Sequence, residues 1–499
     1  MARPGYGNSR KDDCNRHLSE ILLFWSLLIL AALDLFGPAT IHAAMAEEND
    51  FFGEESENVF LTGRGFVEME GFHRSHRELK DEDRVIKTEI RSHLEVRYGS
   101  EDRFAFMAAD LYQLPQALGN DTDTVYYYAE DSGTDRNLRI YGREAEAHFN
   151  ELYVNFSFDR IRLRAGNQKY AWGTADFFNP TAYANPYDLR ELIFKDEEEL
   201  KLGIPSLSAM AFADNFTLEA ILAPVHVPTL LPTTDQFWAI RRVEGFFPVV
   251  IDDTQALDPI LKNSGWGLRL SATRGNTDVS FSAWRGPDRE PVLLPAGVVV
   301  EPGEPVALIV QPDYHVIHAL GADITMNTDA LVFQAEVSWS PDKRSFVRQN
   351  LSDIAGITFP FEVEKSGYLA VAVGANWFVP LSRLIDGHTG QSVLSVEWYQ
   401  SRFFKKGLNP PLLPDMLTCR YEDSFLEDLL YTEITYIYED RHGGRIFWPM
   451  LGLDFQNGFT LEVSYAAIEG KGSGSWENDS LFYYFRDNDM VMAKVRYAF

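Results

Sequence analysis

The chain is poor in cysteine. Its two thiols are Cys14 and Cys419, and Cys14 sits within a leader-like start. Removal of that leader leaves one cysteine, hence no internal disulfide and no cysteine-based zinc site. The interior also lacks long apolar runs: after Leu33 nothing approaches the ~20 residues that a spanning helix needs. Basic charge is scarce too, with 45 Lys and Arg against 74 Asp and Glu and a formal net charge of −29. That balance argues against a nucleic-acid partner, which would need a basic face. Phosphate-binding loops, HExxH and nucleophile elbows are missing, so no enzyme activity, cofactor or metal is expected. His73 and His76, like His315 and His318, lie three apart, which on a strand turns the rings to opposite faces. The acidic stretches Lys195–Glu199 and Asn120–Thr124 lack calcium-loop spacing and read as solvated faces. The first could also bridge to lipopolysaccharide through a divalent cation.

What is present excludes disorder: 45% of residues are hydrophobic and 13% aromatic, enough to build a packed fold. Short strands of period two recur. In Val85–Tyr98, Ile86, Thr88, Ile90, Ser92, Leu94, Val96 and Tyr98 share one face. Lys87, Glu89, Arg91, His93, Glu95 and Arg97 share the other. Leu152, Val154, Phe156 and Phe158 line one side of a second strand, and Ile161, Leu163 and Ala165 oppose Arg160, Arg162, Arg164 and Gln168 in a third. Leu331, Phe333, Ala335, Val337 and Trp339 oppose Gln334, Glu336 and Ser338. One such strand fits an exposed sheet; a long series fits a membrane barrel, where alternate residues meet lipid and lumen. A mean hydropathy of −0.21 excludes a helical membrane bundle but not a barrel.

The connections alternate in length. Short turns are expected at residues 99–102, 157–159, 213–215, 275–276, 327–329 and 456–458, and long loops at 117–137, 224–264, 287–314, 341–366 and 407–427. Short periplasmic turns with long external loops are the outer-membrane pattern. Counting gives an all-β, antiparallel barrel of about sixteen strands, with fourteen and eighteen as the neighbouring even solutions. Leu430–Asp440 is read as an extension in an external loop. Tyr98, Tyr153, Trp339, Trp377, Trp398 and Tyr497 are placed in interfacial aromatic girdles. The start adds a compartment. Arg3, Arg10, Lys11 and Arg16 precede apolar Ile21–Leu33, and Ala44 and Ala46 form an A-x-A site. The sequence thus predicts a signal peptide over 1–46, a periplasmic segment over 47–57 and a barrel over 58–499.

The chain stops on VMAKVRYAF, with Val491, Ala493, Val495, Tyr497 and Phe499 in one register. This resembles the closing strand of a Gram-negative outer-membrane barrel. The resemblance implies that Val495, Tyr497 and Phe499 are read by the barrel-assembly machinery, in a membrane of lipid and lipopolysaccharide. A second resemblance covers Gly166–Phe212. Gly166 and Gln168 end a strand, Trp172 and Gly173 follow, Asn185, Pro186, Asp188 and Leu189 form a box, and Ile204 and Pro205 enter the next strand. This order resembles a proteobacterial outer-membrane β-barrel family, porin-like and known mainly as a domain of unknown function.

Pro180 and Pro186 stiffen the connection between these strands. It either folds into the lumen as a constriction or packs on the external rim. Arg91, Arg97, Arg162, Arg164 and Arg269 either form an anion-attracting ladder or are paired by lumen carboxylates such as Glu89, Glu95, Glu151 and Glu336. With Gln168, Trp172 and Asp188 these arginines are the candidate lumen residues. If the loop folds inward, Trp172 and Lys195–Glu199 are expected near Arg162 and Arg164. The expected function is passage of small-molecule solutes through a polar lumen, filtered by loop and charge. An export barrel for a polymer or lipid with a periplasmic partner, and a plugged structural or surface-binding barrel, are the alternatives.

Overall fold

The computed structural model describes residues 59–499 apart from 76–84, 114–132, 135, 142–144, 196, 233–237, 239–248, 252–255, 301–305, 350–356, 384, 387, 473–478 and 487. The expected signal peptide and the segment 47–57 lie outside the described residues, as do Asn120–Thr124 and His76. Eighteen long strands form the wall. They are β1 Phe60–Arg74, β2 Val85–Gly99, β3 Arg103–Gln113, β4 Ala145–Phe158, β5 Ile161–Gln168 and β6 Ile204–Ala213. Next come β7 Phe216–Ala223, β8 Gly265–Arg274, β9 Thr277–Pro287, β10 Val316–Asn327, β11 Leu331–Phe346 and β12 Val363–Val379. The last are β13 Ser392–Phe403, β14 Met416–Phe425, β15 Leu430–Glu439, β16 Arg445–Asp454, β17 Phe459–Glu469 and β18 Met490–Ala498.

Each strand pairs antiparallel with its neighbours in sequence, and β18 pairs with β1 from Phe66↔Ala498 to Arg74↔Met490. Closure removes the sheet edges. Phe499 completes the seam: its N–H donates to the Gly65 carbonyl at 2.9 Å, and it accepts the Gly65 N–H at 3.1 Å. Val495 and Tyr497 face outward beside it. The expected short turns sit at one rim, where Asp159, Asp214, Gly275 and Gln456 adopt the positive φ that tight hairpins require. Two connections break the alternation: 380–391 is long at the turn rim and 440–444 short at the loop rim.

The count exceeds sixteen by two. Leu430–Asp440 is a full crossing, β15, rather than a loop extension, and its partner β14 lies inside the stretch expected as the loop 407–427. The acidic Glu422 and Asp423 hide the alternation of β14, in which Leu417 faces out and Met416 and Thr418 are buried inside. Because two strands were missed together, the start of β1 and the end of β18 still fall at the turn rim.

Leu152, Val154, Phe156, Phe158, Ile161 and Leu163 are all exposed on the outer face, as are Trp339, Trp377, Trp398, Tyr98 and Tyr497. Tyr153 is a correction: it is buried, facing inward with its ring under Arg164. Its own strand's alternation puts it opposite Leu152 and Val154. Inside, the sector from β14 through β18 to β1 is apolar toward the loop rim. Ile437, Ile446, Ala466, Ile468, Met490, Met492 and Phe72 meet Phe194, Trp238 and Phe485 from the connections. On the remaining wall the lumen face mixes polar side chains with smaller apolar groups such as Ile221, Trp284 and Ala319, and Tyr368, Ala370 and Tyr399.

Candidate lumen constriction

The connection 169–203 between β5 and β6 folds into the lumen. Its neck is tied by Asn185. The side-chain amide donates to the carbonyls of Gln168 at 3.1 Å and Leu202 at 2.8 Å, and its oxygen accepts the Tyr170 N–H at 2.8 Å. The N–H of Leu202 donates to the Pro186 carbonyl at 2.9 Å. Pro186 lacks a donor of its own, so its carbonyl alone is left to satisfy. Gly173 has φ +96°, and a Cβ there would collide with the Asn179 side chain, so the turn after Trp172 requires glycine.

Trp172 is 2% exposed. Its indole N–H donates to Glu219 of β7 at 2.6 Å, and its ring meets Trp284 edge-on at 6.5 Å. The wall is recessed to receive it. A Cβ on Gly267 of β8 would lie 2.7 Å from the Trp172 ring. Beyond Trp172 the segment 174–178 has neither helix nor strand, so its buried N–H groups need outside acceptors. Two wall carboxylates supply them. Glu336 of β11 accepts the N–H groups of Thr174, Ala175 and Thr181, and the Thr181 hydroxyl at 3.0 Å. Glu397 of β13 accepts from Asp176 at 2.8 Å, Phe177 at 3.2 Å and Phe178 at 2.8 Å. Carboxylate acceptors make these bonds stronger than neutral ones.

The returning limb lies against β2–β4 through buried charges. Asp188 accepts from Arg190 at 2.7 Å and Lys195 at 3.0 Å. Burial pushes its carboxyl up, but Arg190 and Lys195 outweigh burial and hold it well below the usual carboxylate range. Arg190 reaches Glu146 of β4 at 3.1 Å, which Arg139 also meets at 2.8 Å. Lys87 of β2 meets Glu191 at 2.9 Å, and Arg91 bridges Asp110 at 2.8 Å and Glu199 at 3.0 Å. From outside, Arg289 donates to the Asn179 carbonyl and the Tyr187 hydroxyl, each at 2.9 Å. The loop is thereby fixed to opposite stretches of wall.

The candidate residues divide. Gln168, Trp172, Asp188, Arg91 and Arg269 meet at this loop. Gln168 is held by Ser206 and Ser208, and Arg269 spans Asp323 at 3.1 Å and the Ala171 carbonyl at 3.2 Å. Among the described side chains, the expected meeting with Arg162 and Arg164 is not made: Lys195 meets Asp188, Glu199 meets Arg91 and Trp172 meets Glu219. Arg162 sits six residues from the loop end of β5, about 20 Å along the strand. It lies over the Phe212 ring at 5.2 Å, while Arg164 donates to Asn155 at 3.0 Å and Arg97 lies over Phe104 at 3.9 Å. Sequence reasoning missed Glu397, Glu219, Glu146, Arg190 and Arg289. Glu219 had a legible signal, a lone carboxylate on the inward register beside Thr217, Ile221 and Ala223, whereas Glu146 shares its inward face with His148 and Asn155.

External loops are stapled by His226, whose Nδ1 accepts the Leu257 N–H at 3.0 Å beneath the Tyr314 ring. Burial, reinforced by Arg136, lowers its pKa to about 4. The opened loop regains the ordinary value near 6.5 and binds a proton that the closed one refuses. The junction is therefore fully stable above about 6.5 and loses ~3 kcal/mol as pH falls to about 4. Protection of the Leu257 amide, corrected for intrinsic exchange, should fall between pH 7 and 4.5; pH-independent protection would contradict this.

A closed barrel with an apolar outer face, a polar lumen sector and unequal rims defines an outer-membrane β-barrel of porin-like architecture. The chain belongs to the family described as Protein of unknown function (DUF1302), whose model matches residues 81–407, from the start of the β2 region to beyond β13. That span includes the whole inward loop. No curated protein matches the chain. Among solved structures it is similar to OccAB1 of Acinetobacter baumannii, with 9% identity, TM-score 0.48, and 88% and 95% of the two chains covered. It is also similar to a BenF-like porin from Pseudomonas fluorescens Pf-5, with 8% identity, TM-score 0.46, and 89% and 98% covered. A third is OccK2 (OpdF) of Pseudomonas aeruginosa, solved in complex with glucuronate, with 10% identity, TM-score 0.44, and 88% and 97% covered.

Proposed function

We propose that the chain is an outer-membrane channel for small polar solutes, narrowed by the inward loop 169–203 and filtered by lumen charge. One observation carries this reading: the loop crosses the lumen and its backbone donors are taken up by carboxylates of the far wall. A loop so anchored sets a fixed aperture rather than a loose flap. On the turn side of the aperture the wall carries charges of both signs, with Arg420 beside Glu422 and Lys494 opposite Glu462. Arg97, Arg162 and Arg164 lie on β2 and β5, while Glu422, Glu433 and Glu462 lie on β14, β15 and β17. Such groups select ions where the passage is narrow.

The test is a planar-bilayer measurement. Open steps are expected from the purified protein, and in a salt gradient Arg162→Glu with Arg164→Glu should move the reversal potential toward cation selectivity. An unchanged potential in a conducting variant would make the arginines structural. A protein that assembles but shows no conductance would favour the plugged reading, to which the apolar cluster around Trp238 and Phe194 lends support.

A further inference from the structure

At the loop rim, outside the inward loop, a cavity of about 140 Å³ opens between the connections 288–315, 404–415 and 470–489. A closed apolar cavity of about 150 Å³ accommodates a benzene ring. The walls here are Val292, Phe346, Phe403, Pro411, Leu412 and Leu481. Three bases, Lys343, Arg344 and Arg441, and three acids, Glu290, Glu439 and Asp479, also border it, so its charges balance. Most of their polar atoms are engaged within the protein, though the buried Arg344 Nε has no hydrogen-bond partner. Lys343 lies 2.9 Å from Glu290, Arg344 lies 3.0 Å from His315, Arg441 lies 3.7 Å from Asp415, and Glu439 accepts the Leu481 N–H at 2.9 Å.

We propose that this cavity binds a neutral, single-ring molecule carrying at most one or two hydroxyls. Size sets the ring, the apolar walls supply the driving force, the equal numbers of acids and bases leave no net charge to draw in an anion, and the unpartnered Arg344 Nε is a donor for a hydroxyl. Asn409 and His442 in the lining offer hydrogen bonds to a hydroxyl. Leu481 and Leu413 pack against the cluster of Phe194, Trp238, Phe482 and Phe485, so an apolar solute caught at the rim faces the apolar sector of the lumen, not the arginine-bearing one. The proposal goes beyond the polar channel and does not depend on conduction.

Fluorine NMR of the full protein in lipid nanodiscs tests it, with 4-fluorophenol and 4-fluorobenzoate as probes. Saturable broadening of the phenol is expected, with the benzoate bound about tenfold more weakly, because burying an unpaired charge is costly. Leu412→Trp and, independently, Val292→Trp fill the cavity and should abolish the broadening while heat-modifiable mobility shows an assembled barrel. No broadening in the parent protein would overturn the site. So would equal broadening in both assembled variants, which would signal partition into lipid, or benzoate binding as tight as the phenol. None of these readings involves flux, so failure of the channel reading would be seen separately in bilayers.

Discussion

Deletion of Thr174–Gly203 is expected to raise single-channel conductance severalfold. The deletion is sterically simple, because Gln168 and Ile204 are already register partners on β5 and β6, and residues 169–173 suffice as a turn. What leaves is the whole crossing: the tip held by Glu336 and Glu397, and the limb held by Lys87, Arg91 and Glu146. An eighteen-strand wall encloses an aqueous channel, lined after the deletion by the wall and by the connections that bear Trp238 and Phe485. The deletion also removes seven acids and three bases, and it takes Glu191 and Glu199 away from Lys87 and Arg91, so cation selectivity should fall as the conductance rises, even though Glu336 and Glu397 are freed. A milder pair, Glu336→Gln with Glu397→Gln, weakens the acceptors while keeping the loop, and should give noisier steps between the two levels. Unchanged conductance of the deletion variant, with assembly shown by heat-modifiable mobility, would place the narrowest point elsewhere in the lumen.

The wall was legible because its rule is local. Period two in Val85–Tyr98 and in Ile161–Gln168 assigns faces residue by residue, and the structure keeps those faces. The hairpin turns were legible for the same reason, since Asp159, Gly275 and their neighbours carry their own conformational preference. β14 and β15 were misread where acidic side chains interrupt that local signal near the rims. The loop was harder. Its prolines and Asn-Pro steps showed a stiff segment, but whether it turned inward depended on acceptors at Glu336 and Glu397, far along the chain. The recess at Gly267 depended likewise on a strand whose glycine reads locally as a weakness. Arg162 and Arg164 were placed on the correct face at the wrong height. A face follows from parity, whereas height depends on where along the lumen the loop turns inward after Gln168.

Asp188→Ala should open the returning limb of the loop without unfolding the barrel. In the folded protein Asp188 is 1% exposed and accepts two cations, Arg190 and Lys195. Removing one member of a buried charge cluster leaves the others uncompensated, at a cost of ~3–5 kcal/mol. Here the relief is local: the segment 187–201 can leave its bridges to 229–230 while the hydrogen-bonded wall stays intact. The native pKa of Asp188 lies below its unfolded value, so its contribution is complete at neutral pH and is lost only as acid protonates it below the usual carboxylate range. The assay follows from the sequence itself. Arg190 and Lys195 are trypsin sites that the parent protein buries, and opening the limb exposes both. Rapid cleavage after residues 190 and 195 is expected in Asp188→Ala and not in the parent at pH 7.5. Asp188→Asn keeps one acceptor oxygen and should fall between them. If the alanine variant resists trypsin as the parent does, the limb is held by Glu146, Glu191 and Glu199 alone, and Asp188 only neutralises charge.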